Sequence, residues 1–107
     1  MDIKDFQDLC AEVVDKIDKQ HNIDRDSYFS FTQLMEEVGE LAKALNFPKL
    51  RNKKLDQNNL NEEFADILLQ LSILARINNV DFESVVKKKI LELKDRHGID
   101  VGDINRK

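Results

Sequence analysis

Two acidic pairs recur at one spacing in this chain: Glu37-Val38-Gly39-Glu40 and Glu63-Phe64-Ala65-Asp66. Residues three apart on a helix project from one face, so each pair would present two carboxylates side by side. The stretch between Glu40 and Glu63 is long enough for one helix to end, the chain to turn, and a second helix to run back alongside. Four carboxylates facing one another across such a hairpin repel unless something neutralises them. A hard divalent cation does this, and Mg2+ prefers all-oxygen ligation.

The same residues also read as the solvated faces of two amphipathic helices, since an acid pair at this spacing is common. Three details weigh toward a site. Glu63 and Asp66 lie in the most apolar segment of the chain, where a polar strip should be narrow. Gln70 stands one turn beyond Asp66 and prolongs that strip. Gly39 occupies a helix interior, where it costs about 0.5–1 kcal/mol relative to Ala, and close approach of a neighbouring helix or a ligand would account for it. On the residues alone, a divalent-metal site and a solvated face both stay open. A di-iron bundle needs a Glu-x-x-His motif, and neither His21 nor His97 stands three residues after a Glu. A zinc site lacks His and Cys ligands.

Four predicted helices must position these groups. The apolar stripe Ile3, Phe6, Leu9, Cys10, Val13, Val14 and Ile17 predicts a helix over 3–19, followed by a polar connection over 20–29. A second helix is expected over 31–45, with Ser30 as N-cap and Gln33 completing a capping box. Leu34, Met35, Val38, Leu41, Ala42 and Leu45 form its expected buried side, and Asn46-Phe47-Pro48 is expected to end it. A basic link with Lys49, Arg51, Lys53 and Lys54 leads to a third helix over 60–78, with Asn59 as cap and Glu62 at the third position. This helix is apolar on more than one face, so it should be buried on most sides. In a chain this small, that implies a subunit interface. The fourth helix is expected over 82–97, with Asp81 as cap, Gly98 as stop, and Val85, Val86, Ile90 and Leu93 facing inward. The expected fold is all-α: a four-helix bundle, one domain over 1–98 with a tail over 99–107, completed by homo-oligomerisation.

Composition narrows the function. The chain has 107 residues, 36% of them charged and 41% apolar, with three Gly and one Pro. That is the profile of a soluble helical protein rather than a disordered one. A net charge of −4 gives no support for nucleic-acid binding through a broad basic surface. The longest apolar run, from Ile67, is broken by Gln70 and Ser72 and is too short to span a bilayer. The N-terminus is charged from the start and does not read as a signal peptide. Cys10, the only cysteine, reads as a small buried hydrophobe. A cytoplasmic location is the expectation.

The ordered set Leu34-Met35-Glu36-Glu37-Val38-Gly39-Glu40-Leu41, then Glu62-Glu63-Phe64-Ala65-Asp66-Ile67-Leu68-Leu69-Gln70-Leu71, resembles the MazG-like branch of the all-α nucleoside triphosphate pyrophosphatases. That family's pattern is E-x-x-E, a gap, then E-x-x-D. The link Asn79-Val80-Asp81-Phe82 and the basic residues Lys89 and Arg96 continue the similarity, which covers about residues 30–98.

The resemblance implies hydrolysis of (deoxy)nucleoside triphosphates to monophosphate and pyrophosphate with Mg2+, or Mn2+ as a substitute, by a homodimer or a dimer-of-dimers tetramer. It implies that Glu37, Glu40, Glu63 and Asp66 hold the metal. Glu36 and Glu62 are outer groups, a base or spectators. Lys53, Lys54, Lys89 and Arg96 are candidate phosphate contacts, and Phe47, Phe29 and Phe31 are candidates to stack on the base. Leu93 and His97 stand where many relatives carry Asn and Tyr, which weakens the carry-over for the last helix. Two alternatives stand beside this reading: a phosphoribosyl-ATP pyrophosphatase, and a noncatalytic helical interaction module.

Overall fold

A computed structural model of the protein describes residues 1–103. Four helices follow in order, α1 (Ile3–His21), α2 (Ser27–Leu50), α3 (Gln57–Ile77) and α4 (Phe82–His97), and no strand occurs among the described residues. Each helix opens on an aspartate whose carboxylate accepts a backbone N–H of the first turn: Asp2 from Asp5, Asp26 from Phe29, Asp56 from Asn59, and Asp81 from Glu83. Such caps satisfy donors that have no partner within the helix. Asn22 and Gly98 close α1 and α4 in the left-handed conformation, which these two residue types tolerate best.

Three expected boundaries move. Ser30 is not the cap of α2 but lies wholly buried in its first turns, and Asp26 caps the helix instead. Asp56, not Asn59, caps α3. Asn46-Phe47-Pro48 does not end α2, which carries Pro48 in its last turn and runs on to Leu50.

The helices α2 and α3 form an antiparallel hairpin, the most extensive packing in the chain, and α1 lies across α3. The register shows in cross-helix pairs: the Ser27 hydroxyl donates to Asn78 at 3.2 Å, and further along Glu37 meets Glu63 and Asp66. Buried Gln7 fixes the turn into α4. Its amide N donates to the Val80 carbonyl at 2.7 Å and its amide O accepts from the Phe82 N–H at 3.1 Å. Asp8 and Arg76 pair across α1 and α3. The main packing partner of α4 is α1.

The core within one chain is small: Cys10, Val14, Leu34, Ala44, Ile73 and Ala75. Several positions expected inside are exposed instead. On α2 these are Met35, Val38 and Leu45, beside Phe31 at 52% exposure; on α3 they are Phe64 at 57%, Leu68 and Leu71; on α1, Leu9, Val13 and Ile17; on α4, Val85 and Val86. The radius of gyration is 17.0 Å, against about 13 Å for a compact chain of roughly 100 residues. One chain therefore leaves its helix faces open to the surroundings. Gly39 is not explained by helix packing within the chain, because nothing lies within 4 Å of where its Cβ would sit.

Candidate functional site

The α2–α3 hairpin brings the two acidic pairs together. Ligand oxygens of Glu37, Glu63 and Asp66 all lie within 4.8 Å of one another. Glu37 and Glu63 are half-buried, and Asp66 is exposed at the rim. Spacing i, i+3 sets Glu63 and Asp66 on one face of α3, and Glu37 meets them from α2. Glu40 lies at its edge. It falls outside the tight group, pairs with Lys43 on its own helix at 3.5 Å, and lines the neighbouring cavity.

The electrostatics of this group are unbalanced. Burial pushes the Glu37 carboxyl above its ordinary value, and the negative charges of Asp66, Glu63 and Glu40 push it further, with a contribution from hydrogen bonding to Glu63. The Glu63 Oε2 is buried and has no hydrogen-bond partner. A buried acceptor left unpaired costs about 1–3 kcal/mol, and more when charged. An unpartnered buried carboxylate oxygen among three other acids is a donor set made only of oxygen and suited to a hard divalent cation.

A cavity of about 260 Å³ opens beside Glu40 at the C-terminal end of α2. Phe47, the basic Lys43, Arg51, Lys53 and Lys54, and the acidic Asp56 line it, so that beside Glu40 and Asp56 its cations are in excess. The Arg51 guanidinium lies over the Phe47 ring, 4.8 Å from its centre. The expected substrate contacts thus divide. Lys53, Lys54 and Phe47 stand at a cavity that shares Glu40 with the acidic cluster. Lys89 and Arg96 do not gather there within one chain. They lie on α4, which packs on α1, and Lys89 pairs with Glu92 at 3.1 Å. Glu36 and Glu62 are exposed. Phe31 is exposed, and Phe29 packs under the Arg25 guanidinium at 5.0 Å.

A second polar cluster lies one helical turn away, and of its members only Gln70 stands out in the sequence, as prolonging the polar strip of α3. Arg25 forms a forked ion pair with Asp18, Nε to Oδ2 at 2.7 Å and Nη2 to Oδ1 at 3.0 Å, with both side chains 9% exposed. Its Nη1 donates to Ser30 Oγ at 3.2 Å, to Gln33 Oε1 at 2.9 Å and, more weakly, to Gln70 Oε1 at 3.5 Å. Arg25 falls in a segment that reads only as a polar connection. The available signals were two polar residues, Ser30 and Gln70, on otherwise apolar helix faces.

The pattern that defines the MazG nucleotide pyrophosphohydrolase domain matches residues 29–98. No curated protein and no solved structure matches the chain. The domain match spans more than half of the sequence, including α3, α4 and nearly all of α2, and the chain belongs to the MazG nucleotide pyrophosphohydrolase domain family.

Proposed function

We propose that the protein is a Mg2+-dependent hydrolase that splits (deoxy)nucleoside triphosphates between the α and β phosphates and so clears surplus or noncanonical nucleotides. The observation that carries this reading is the buried, unpartnered Glu63 oxygen inside a group of mutually repelling carboxylates. Without a cation, that arrangement is a standing cost. Glu37, Glu63 and Asp66 would hold Mg2+ (or Mn2+), with Glu40 completing the set from the cavity side. When bound, the ion offsets the charge on the phosphate oxygens and helps to align them.

The remaining work falls to side chains of the chain itself. A triphosphate is strongly anionic, so its outer phosphates settle at the cationic cavity beside Glu40, where Lys53 and Lys54 offer ammonium groups and Phe47 forms part of the wall. The attacking water must lose a proton, and the clustered carboxylates are the groups placed to take it. Glu36 and Glu62 flank the cluster as outer groups.

The active assembly in this reading is a homodimer or a dimer of dimers, built on residues 1–98. The exposed apolar residues of α2 and α3 and the extended shape of the single chain support it. Lys89 and Arg96 then reach substrate only across a subunit interface. Among the described residues no helix is long and apolar enough to cross a membrane, and the proposed place of action is the cytoplasm.

Pyrophosphate release from a panel of canonical and modified NTPs and dNTPs, with and without Mg2+, tests the proposal. Mg2+-dependent release by the wild type that collapses in Glu63→Gln is expected. Release from phosphoribosyl-ATP alone would reassign the substrate. No release, together with no effect of Mg2+ on stability, would leave a noncatalytic helical module.

A further inference from the structure

The acidic cluster has two chemically different ends. Toward the C-terminus of α2 it opens on the cationic cavity with Lys53 and Lys54. Toward the N-terminus, one turn back on α2 and one turn on along α3, stand Gln33 and Gln70. They are four residues from Glu37 and Asp66 respectively, so each occupies the same helix face as its acid.

Both glutamine side chains are held by one group. Arg25 Nη1 donates to the Gln33 amide oxygen at 2.9 Å and to the Gln70 amide oxygen at 3.5 Å. An arginine only donates, so each amide must turn its oxygen to the guanidinium and its NH2 away from it. Which branch of each amide is oxygen is thus decided by chemistry. Arg25 is itself fixed by the buried fork to Asp18 and by the buried Ser30 hydroxyl. The outcome is two half-buried amides side by side, each turning its oxygen to Arg25 and its NH2 away from it, beside a group of carboxylates.

We propose that Arg25 is a positioning residue, and that Gln33 and Gln70 form a donor-only reader of the nucleobase at the end of the site opposite the basic cavity. This rests on the nucleotide reading above. With the outer phosphates drawn to Lys53 and Lys54, the nucleoside falls at the glutamine end. The Phe47 ring stands at the phosphate end of the site, in the wall of the basic cavity. Two adjacent donors match a base edge that shows two adjacent acceptors. Cytosine has one in N3 and O2, and guanine in O6 and N7. Adenine sets its N6 donor beside N1 and N7, and thymine and uracil place the N3–H donor between their two carbonyls. The site should therefore favour cytosine or guanine nucleotides.

The test is equilibrium binding of dCMP, dGMP, dAMP and dTMP to the full chain in the presence of Mg2+, by calorimetry, so that the readout does not depend on turnover. The wild type should bind dCMP or dGMP at least roughly tenfold tighter than dAMP and dTMP, as expected for a paired hydrogen-bond reader. Gln33→Met and Gln70→Met keep the side-chain length and remove the donors, and each should flatten that preference while helix content stays unchanged. Arg25→Lys keeps the charge facing Asp18 but loses the fork, so it should flatten the preference although both glutamines remain.

Equal affinity for all four nucleotides, a preference for dAMP or dTMP, no binding of any of them, or a uniform loss across all four in the Met variants would each overturn the inference. Selective binding of dCMP or dGMP without pyrophosphate release from the matching triphosphate would uphold the reader and sink the hydrolase. Mg2+-dependent release by a chain that binds all four monophosphates equally would do the reverse.

Discussion

Two polar clusters lie on the α2–α3 hairpin, one turn apart, and they are balanced in opposite ways. Around Arg25, charge is matched from within: one guanidinium meets one carboxylate in a fork, and its remaining donor finds hydroxyl and amide oxygens. Around Glu63, several negative groups converge, an oxygen is buried without a partner, and Glu37 is driven to hold its proton more tightly. The first cluster has its charge matched by groups of the chain itself. The second carries an excess of negative charge that no cation among the described residues is seen to balance at Glu63. A buried polar group with its partners present accounts for itself structurally, and one with a partner missing calls for an explanation, for which we propose a bound cation.

Breaking the balanced cluster should produce the larger effect on stability. Arg25→Met leaves the Asp18 charge buried and uncompensated, which typically costs about 3–5 kcal/mol. Urea unfolding followed by circular dichroism should show that loss. Replacing both partners, as Asp18→Leu with Arg25→Met, should recover most of it, because no charge is then stranded. A double variant as weak as the single would mean that the network is more than an ion pair.

The unbalanced cluster should respond in the opposite sense. Adding Mg2+ should raise the stability of the wild type by about 2.7 kcal/mol at a hundred times its dissociation constant. Glu63→Gln should abolish that gain. It should also leave the metal-free protein at least as stable as the wild type, since it removes one of the repelling charges. Thermal melts of both proteins with and without Mg2+ decide the matter. A metal-free variant clearly less stable than the wild type would show that Glu63 is satisfied in solution.

The two clusters also differ in how far the sequence disclosed them. Three of the four expected carboxylates, Glu37, Glu63 and Asp66, come together, because i, i+3 spacing on α3 is local and α3 returns antiparallel to α2; Glu40 stays at the edge, paired with Lys43. Asp81 and Gly98, also local signals, marked α4 correctly. The Arg25 cluster was not legible, because its members come from α1, the connection, α2 and α3, and no periodicity links them. The start of α2 was placed too late, with Ser30 as the cap and Asp26 left in the connection. Ser30 and Asp26 are both good caps, and the burial of Ser30 beneath Arg25 settles the choice through tertiary structure. Pro48 was read as a stop, yet a proline can sit in the last turn, and α2 continues to Leu50. The apolar stripes were recognised, but periodicity cannot say whether the covering surface belongs to the same chain. Met35, Val38, Phe64 and Leu68 are left exposed here.

Acidity sharpens the comparison further. Glu37 in the folded protein binds its proton more tightly than its ordinary value of 4.5 would give. The stability linked to this group is therefore present below that value and is lost as pH rises through the raised folded value. Mg2+ competes with the same proton, so the concentration needed for half-maximal stabilisation should fall as pH rises over this window. Glu37→Gln should weaken Mg2+ binding and lose that part of the pH dependence. Mg2+ titrations of both proteins at several pH values provide the check, and parallel curves would remove Glu37 from the cation site.

The smallest expected effect belongs to Lys43, the nearest cation on the same helix as the acids. Its pair with Glu40 is more than half exposed on both sides, and such pairs contribute about 0–1 kcal/mol. Lys43→Ala should thus leave urea unfolding nearly unchanged. It should also tighten Mg2+ binding slightly, because Glu40 loses a competing cation that sits at the edge of the cluster. A marked loss of stability would mean that the acidic cluster is neutralised from within, through Glu40 and Lys43, as the Arg25 cluster is. The contrast between the two would then be one of degree, and the case for an external cation would rest on Glu63 alone.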